Sequence, residues 1–525
     1  MSIVSADPKL NALSSPVIVR NRSLDRSFEV FRSAKGVGQA ESQTDSDGTR
    51  VFRETQTLNW VIGAGVNGYS YVCGRKGHMV EAPLSFYSSG AKWDLSPGYE
   101  STDMGFDRPV TTACLSCHSG RLKSPLGADG SYSGAPFQEL PIGCENCHGP
   151  GEKHILAHAP DNKTGEELGG AIVNPGKLPL RLAENICMSC HEGGDARVLQ
   201  PGKNEQDFRP GAWLSETLCI FKLPAKRNSA ASESDLLEHH YSEQLSRCFR
   251  ASKGRLSCLT CHDVHNRPAP SQRAQYYRAK CLTCHAAKDC SLPIAQRAED
   301  DCVACHMPKR DLKEISHSAL TNHRIIRRPA EPLPEIAYND SGPVAPGLIY
   351  VNPPEAQTAA TPAMPIHSVV LLQAYQALEV RDSSLRAPFL AALAEAAKLY
   401  SSDIEFQATA GQELLKNPAS SSAADAVQML SAAVTGGARQ PSTYLDLATA
   451  LNRSGKPDAA IEVFKEGVLQ NPFSALLHKE LITALMKLRQ YDLAASAMKK
   501  YLEVFPQDSL VRDLLKQLPL ASDSR

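Results

Sequence analysis

The chain has 525 residues, 42% of them hydrophobic, enough for two or three domains with ordinary buried cores. Lysine plus arginine number 56 against 57 acidic residues, so no polyanion-binding face is implied and nucleic acid is not an expected partner. No stretch approaches the roughly 20 apolar residues of a membrane-spanning helix, so the protein is expected not to be integral to a membrane.

Residues 1–50 are polar and include ESQTDSDGTR, which reads as a mobile N-terminal arm. The opening MSIVSADPKLNALSSPVIVR lacks the basic and apolar regions of an export signal. Residues 51–104 change to short β-prone runs, LNWVI, YSYVC and HMVEAPLSFY, separated by glycine turns, and predict a small antiparallel β segment. Within it Gly63, Gly65 and Gly68 match a dinucleotide-binding fingerprint. The match is misleading: the segment that follows, YSYVCG, is another strand, whereas a pyrophosphate needs a helix N-terminus there. A tight glycine turn is expected instead.

Residues 105–328 contain six Cys-x-x-Cys-His motifs: Cys114, Cys117 and His118; Cys144, Cys147 and His148; Cys187, Cys190 and His191; Cys258, Cys261 and His262; Cys281, Cys284 and His285; Cys302, Cys305 and His306. Chance placement at this composition gives on the order of 0.01 such motifs, so spacing and not accident explains twelve of the sixteen cysteines. Residues 329–365 run from RPAEPLPE to TPAMP and read as a proline-rich linker. Residues 366–525 are rich in alanine and leucine with helical periodicity. There Tyr444, Leu447, Ala448, Leu451, Ala460, Phe464 and Pro472 occupy tetratricopeptide positions, echoed about 34 residues later by Leu481, Leu485, Ala494, Met498 and Pro506. A weaker copy places Ala426, Leu430 and Ala433 one period earlier. The expected fold is therefore mainly α: a small N-terminal antiparallel β segment, a multihaem domain of loops and short helices, and a C-terminal helical TPR solenoid.

The motif spacing has a chemical reason. Two thiols three positions apart reach the two vinyl groups of one porphyrin, and the adjacent imidazole points at the iron. Zinc needs no histidine after every second cysteine, and no strand-helix unit of thioredoxin type surrounds the pairs. Six covalent haems c, each with its iron, are expected. Few long hydrophobic runs are present, so the haems must supply much of this region's apolar core.

An electron-transfer haem usually has both axial positions filled, so six proximal histidines call for distal partners. His154, His265, His317 and His323 lie near attachment turns or just after the last motif. Of the adjacent His239 and His240 at most one is expected to ligate. His78 and His158 complete the supply, against the ordinary role of a hydrogen-bonded surface or core histidine. Cys73, Cys219, Cys248 and Cys290 stand outside the motifs, as disulfide partners in one of three pairings or as buried thiols.

The phrases SFYSSGAKWDLSPGYE, CLSCHSG, GCENCHGPGEKH, RLSCLTCHDVH, DCVACHMPKRD and SHSALTNHRI, with the repeats that follow, resemble bacterial multihaem c-type cytochromes with doubled Cys-x-x-Cys-His motifs and a C-terminal tetratricopeptide array. The resemblance covers roughly residues 55–328 and extends through the repeats. It implies haem on the motif cysteines and distal roles for His154, His265, His317 and His323. It also implies an export signal and one further haem motif before the β segment, neither of which this sequence shows. Covalent haem implies a periplasmic or otherwise extracytoplasmic place, so the expectation is that the start lies upstream, that a signal has been removed, or that export takes another route.

Three functions follow. The leading one is electron transfer through six haems, probed as low-spin and bis-histidine ligated, with the TPR domain docking a redox partner protein. The alternative is a multihaem oxidoreductase acting on a small nitrogen or sulfur compound at a five-coordinate haem; no motif ends in lysine, the mark of the catalytic haem in the ammonifying nitrite reductases. The third is a repeat scaffold whose haems are incidental.

Overall fold

The computed structural model describes residues 2–3, 7–100, 102, 104–123, 130–132, 134–159, 172–227, 238–286, 290, 292–293, 301–311, 319–354 and 365–518. The chain divides into two compact units: residues 1–142 with 391–525, and residues 143–390. Helices predominate, with small antiparallel sheets.

The first unit begins with strands β1 (Ser2–Ile3), β2 (Val17–Asn21), β3 (Arg26–Ser33), β4 (Gly36–Thr44), β5 (Arg50–Thr57), β6 (Trp60–Ile62), β7 (Gly68–Arg75), β8 (His78–Glu81), β9 (Leu84–Tyr87) and β10 (Lys92–Leu95). Strands β2 to β5 form a four-stranded antiparallel meander, and the others form a second sheet in which β7 pairs with β6, β8 and β9. Residues 17–44 are therefore sheet, not the mobile arm that composition suggests. The reason is visible in β3, where Phe28 and Val30 alternate with polar residues and are buried. The low hydrophobicity of β4 is real, but Glu41 pairs with Arg26 at 3.4 Å and the amide of Gln39 is satisfied inside. The fully buried Gln39 donates from Nε2 to the Leu84 carbonyl at 2.8 Å and accepts the Leu84 N–H at 2.8 Å, tying β4 to β9.

The glycines of the false fingerprint make the turn between antiparallel strands β6 and β7. Gly63 has φ +112°, and a Cβ on Gly68 would lie 2.3 Å from the Phe86 carbonyl oxygen. Both positions need glycine for backbone reasons.

Seven helices, Ile404–Leu415, Ser420–Gly436, Pro441–Arg453, Pro457–Gln470, Ala475–Lys487, Tyr491–Leu502 and Ser509–Gln517, form the repeat array of the same unit. Tyr444, Ala448, Ala460, Phe464, Leu481, Leu485, Ala494 and Met498 are all buried at the repeat positions. The array packs on the β region and is not a separate body. Arg75 donates to the carbonyls of Phe106 and Val504 at 2.8 Å each, and Gln507 donates to Asp107 at 2.9 Å.

In the second unit, strands β11 (Ala196–Leu199), β12 (Leu218–Lys222) and β15 (Ile349–Tyr350) form an antiparallel sheet, and β13 (Lys309–Asp311) pairs with β14 (Ala319–Thr321). The later part of the proline-rich segment thus contributes a strand instead of only wrapping the surface, through Val351 N–H to the Ile220 carbonyl at 2.9 Å. Met188, Leu214, Leu218, Ile220, Tyr241, Leu245, Ala337 and Val351 make the local core.

Candidate functional site

Each described Cys-x-x-Cys-His motif occupies about one helical turn. The His262 N–H donates to the Cys258 carbonyl at 2.9 Å and the His285 N–H to the Cys281 carbonyl at 3.0 Å. This spacing sets both thiols on one face of the turn. Residues inside or beside the motifs close these turns. Asn146 accepts the Gly143 N–H at 2.9 Å, Thr260 accepts the Ser257 N–H at 3.0 Å, and Asp301 accepts those of Val303 and Ala304. The segments Cys144–His148, Cys258–Cys261, Arg273–Leu282 and Cys302–His306 hold no buried residue, whereas Leu180–His191 buries five.

Attachment points from different motifs meet in the second unit. The Cys187 thiol is in hydrogen-bond contact with Cys258, and Cys281 with Cys302. Burial pushes the Cys261 and Cys281 thiols up to about 11. In the first unit the Thr112–His118 helix carries Cys114, Cys117 and His118, with Cys114 exposed.

The imidazoles gather into pairs. The rings of His148 and His265 are 6.0 Å apart between centroids and 12° from parallel. Those of His262 and His323 are 6.3 Å apart at 33°. His239 stacks on His191 at 5.3 Å and lies 4.1 Å from His323. Desolvation by neighbouring protein atoms holds His191 and His262 below the ordinary imidazole range, although both residues keep solvent-exposed surface. Burial, and then the neighbouring His323 ring, takes His239 down to about 3, and burial takes His323 to about 4. All four rings are neutral near neutral pH, the form that ligates a metal.

Backbone carbonyls select the tautomer. His148 donates from Nδ1 to the Val173 carbonyl at 2.8 Å, His306 to that of Ile326 at 2.7 Å and His323 to that of Thr321 at 3.0 Å. Each leaves Nε2 with a bare lone pair for a metal. The Tyr277 hydroxyl lies 3.3 Å from His262 Nδ1. These partners carry no sequence signature, because a carbonyl belongs to every residue and only the fold brings it to a ring.

The other candidate histidines lie elsewhere. His154 meets His158, centroids 4.6 Å apart. His78 sets its ring edge against Phe473 at 5.3 Å and its Nδ1 3.2 Å from the Lys76 carbonyl. His240 is buried, with Nε2 2.7 Å from the Gln244 amide. His317 lies outside the described residues. His285 is exposed. Of the cysteines beyond the motifs, Cys73 is fully buried and donates to the Val80 carbonyl, with burial raising its thiol to about 12. Cys219 is fully buried beside the Tyr350 hydroxyl at 3.4 Å. Cys248 is half-buried and Cys290 exposed.

Two protein families match the chain: the doubled CXXCH motif over residues 251–289 and the tetratricopeptide repeat over residues 453–518. No curated protein matches. Among solved structures, the outer cell wall cytochrome OcwA aligns with 79% of this chain and 88% of its own at 14% identity and a TM-score of 0.34. YrrB, described as a TPR protein with an unusual peptide-binding site, aligns with 27% of this chain and 70% of its own at 20% identity and a TM-score of 0.23. The chain spans 32% of its counterpart in the APC/C hetero-tetramer, at 17% identity and a TM-score of 0.23. The chain thus combines doubled CXXCH motifs, whose residues are those of haem c attachment, with tetratricopeptide repeats. Among the described residues no helix is long and apolar enough to cross a membrane.

Proposed function

We propose that the protein transfers electrons through six covalently attached haems c in an extracytoplasmic compartment, and that its repeats dock a redox partner protein. The observation that carries this reading is the pairing of imidazoles beside the thiol pairs. With metal–nitrogen bonds of about 2.0–2.1 Å, two imidazoles on opposite sides of one metal have centroids roughly 6 Å apart. The separation of His148 from His265, 6.0 Å, and of His262 from His323, 6.3 Å, fit that requirement. With His323 committed to His262, His239 is left to serve His191 at 5.3 Å.

The donor set fits the group. Thiols in i, i+3 pairs supply thioether attachment, Nδ1 donation to carbonyls frees Nε2, and short helices that bury nothing leave apolar surface for a porphyrin to cover. When bound, haem supplies a one-electron iron couple. The chain's own residues would hold the group: His148 with His265 and His262 with His323 would ligate its iron, and attachment points of successive motifs meet at Cys187 and Cys258 and at Cys281 and Cys302.

Haem-stained gels and the intact mass of exported protein test attachment, and optical and electron paramagnetic resonance spectra test ligation. Six covalent haems with low-spin spectra are expected. Material with no covalent haem overturns the reading, and a mostly high-spin spectrum replaces it with the substrate-converting alternative.

A further inference from the structure

Two carboxyl groups lie buried beside an attachment thiol. Glu184, on the helix Leu180–His191, is 3% exposed, and Glu243, on the helix His239–Leu245, is 7% exposed. Their oxygens and Cys258 Sγ all lie within 4.8 Å of one another. Glu184 Oε1 makes no hydrogen bond, and the buried His240 sets its Nδ1 3.9 Å from Glu184 Oε2. Besides each other, the groups facing the two carboxyls are Arg181 one turn before Glu184, Cys187 one turn after it, His240, and Cys258, Cys261 and Cys248. Arg181 is the cation facing the pair; it acts on Glu184 and on His240 but not on Glu243.

Two like charges this close in a water-poor pocket do not both ionise near neutral pH, so the pair retains a proton. Burial, and then the Glu243 carboxylate, holds the Glu184 carboxyl at about 7, and burial holds Glu243 at about 7 as well. A metal ion held by Glu184, Glu243 and Cys258 is the competing use of these atoms. It would require the sulfur that haem attachment consumes.

We infer that Glu184 and Glu243 form a proton-accepting site coupled to the redox state of the haem attached through Cys258, making electron transfer there proton-linked. The inference rests on the haem reading above. The balance is one electron and one proton. Iron(III) takes one electron from a one-electron donor to give iron(II), and one proton from water converts a carboxylate of the pair to the acid; reoxidation releases both. A unit charge about 10 Å away at an effective dielectric constant near 20 changes proton affinity roughly tenfold.

The test is spectropotentiometric titration of the full-length haem-loaded protein between about pH 5.5 and 8.5, in the wild type and in Glu184→Gln, Glu243→Gln and the double variant. One wild-type component is expected to show a midpoint potential that slopes downward as pH rises through the pair's titration range, by about 59 mV in all, the equivalent of that tenfold change in proton affinity. In the double variant that slope disappears with haem content unchanged. A slope that persists in the double variant assigns the proton elsewhere, for instance to haem propionates, and overturns the inference. Should the variants load haem poorly, wild-type infrared difference spectra decide: a carboxylic-acid band rising on reduction supports the site, and its absence removes it. An equimolar extra metal in the wild type that vanishes in Glu184→Gln overturns it in favour of a cation. Material without covalent haem defeats the electron-transfer reading instead, and a protonated carboxyl band at neutral pH then still reports on the pair.

Discussion

The imidazoles of His148 and His265 stand 6.0 Å apart with planes 12° from parallel, although they come from two different motif segments. The valine carbonyl at position 173 fixes one of the rings by accepting its Nδ1–H. A histidine beside one Cys-x-x-Cys-His turn thereby faces the motif histidine of another.

Replacing His265 with alanine should convert one haem to a high-spin species, visible in the optical spectrum and by electron paramagnetic resonance. The same is expected of His323→Ala. His240→Ala should leave the spectrum low-spin, because Nε2 of His240 is engaged by Gln244. A high-spin signal from His240→Ala, with none from His323→Ala, would contradict the pairing.

Removing attachment should cost structure as well as redox activity. Short helices such as Cys258–Cys261 and Cys302–His306 bury no residue and are too short to persist alone. In a variant with serine at 258 and 261, amide hydrogen exchange should accelerate around those turns. The Pro441–Arg453 and Pro457–Gln470 helices, whose own residues fill a continuous core, should keep their protection.

Gln39→Leu should destabilise the β region. The side-chain amide meets both backbone groups of Leu84, and leucine would leave a buried N–H and a buried C=O without partners. Each orphaned group costs roughly 1–3 kcal/mol, a loss that thermal unfolding would register.

Glu81 gives the first unit a pH dependence. Burial pushes its carboxyl up to about 7 even with Arg108 Nη1 at 2.9 Å, which opposes the shift. Because the folded value is raised, the stabilising contribution is fully present below the ordinary carboxyl range and is lost as pH rises through about 7. Thermal unfolding should therefore show stability falling by a few kcal/mol between about pH 4.5 and 8, and Glu81→Gln should flatten that share of the slope.

Gly467→Val should weaken the repeat array. A Cβ at this position would stand 2.9 Å from Tyr444 Cβ and 3.1 Å from Leu477 Cδ2. Overpacking of this kind costs about 1–3 kcal/mol, so a lowered melting temperature with unchanged haem spectra is the expected result.

The thiol pairs and the repeat positions were legible because each is a local requirement. Two sulfurs must share one helical turn to reach one porphyrin, and Ala448, Ala460 and Ala494 must be small where helices approach. The strands of residues 17–44 were not legible, because Gln39 looks solvent-exposed by composition and is made an interior residue only by the Leu84 backbone arriving from another sheet.

The covalent chemistry of the cofactor and the helical nature of the C-terminal third thus belong to the sequence itself, since both depend on residues a few positions apart. Which imidazole faces which, that His239 and not His240 meets His191, that Glu184 and Glu243 close on one thiol, and that the repeats pack on the β strands were decided only in three dimensions. Those relations are set by long-range packing, where burial and the carbonyl a ring happens to meet determine the role of a side chain, and no spacing along the chain records either.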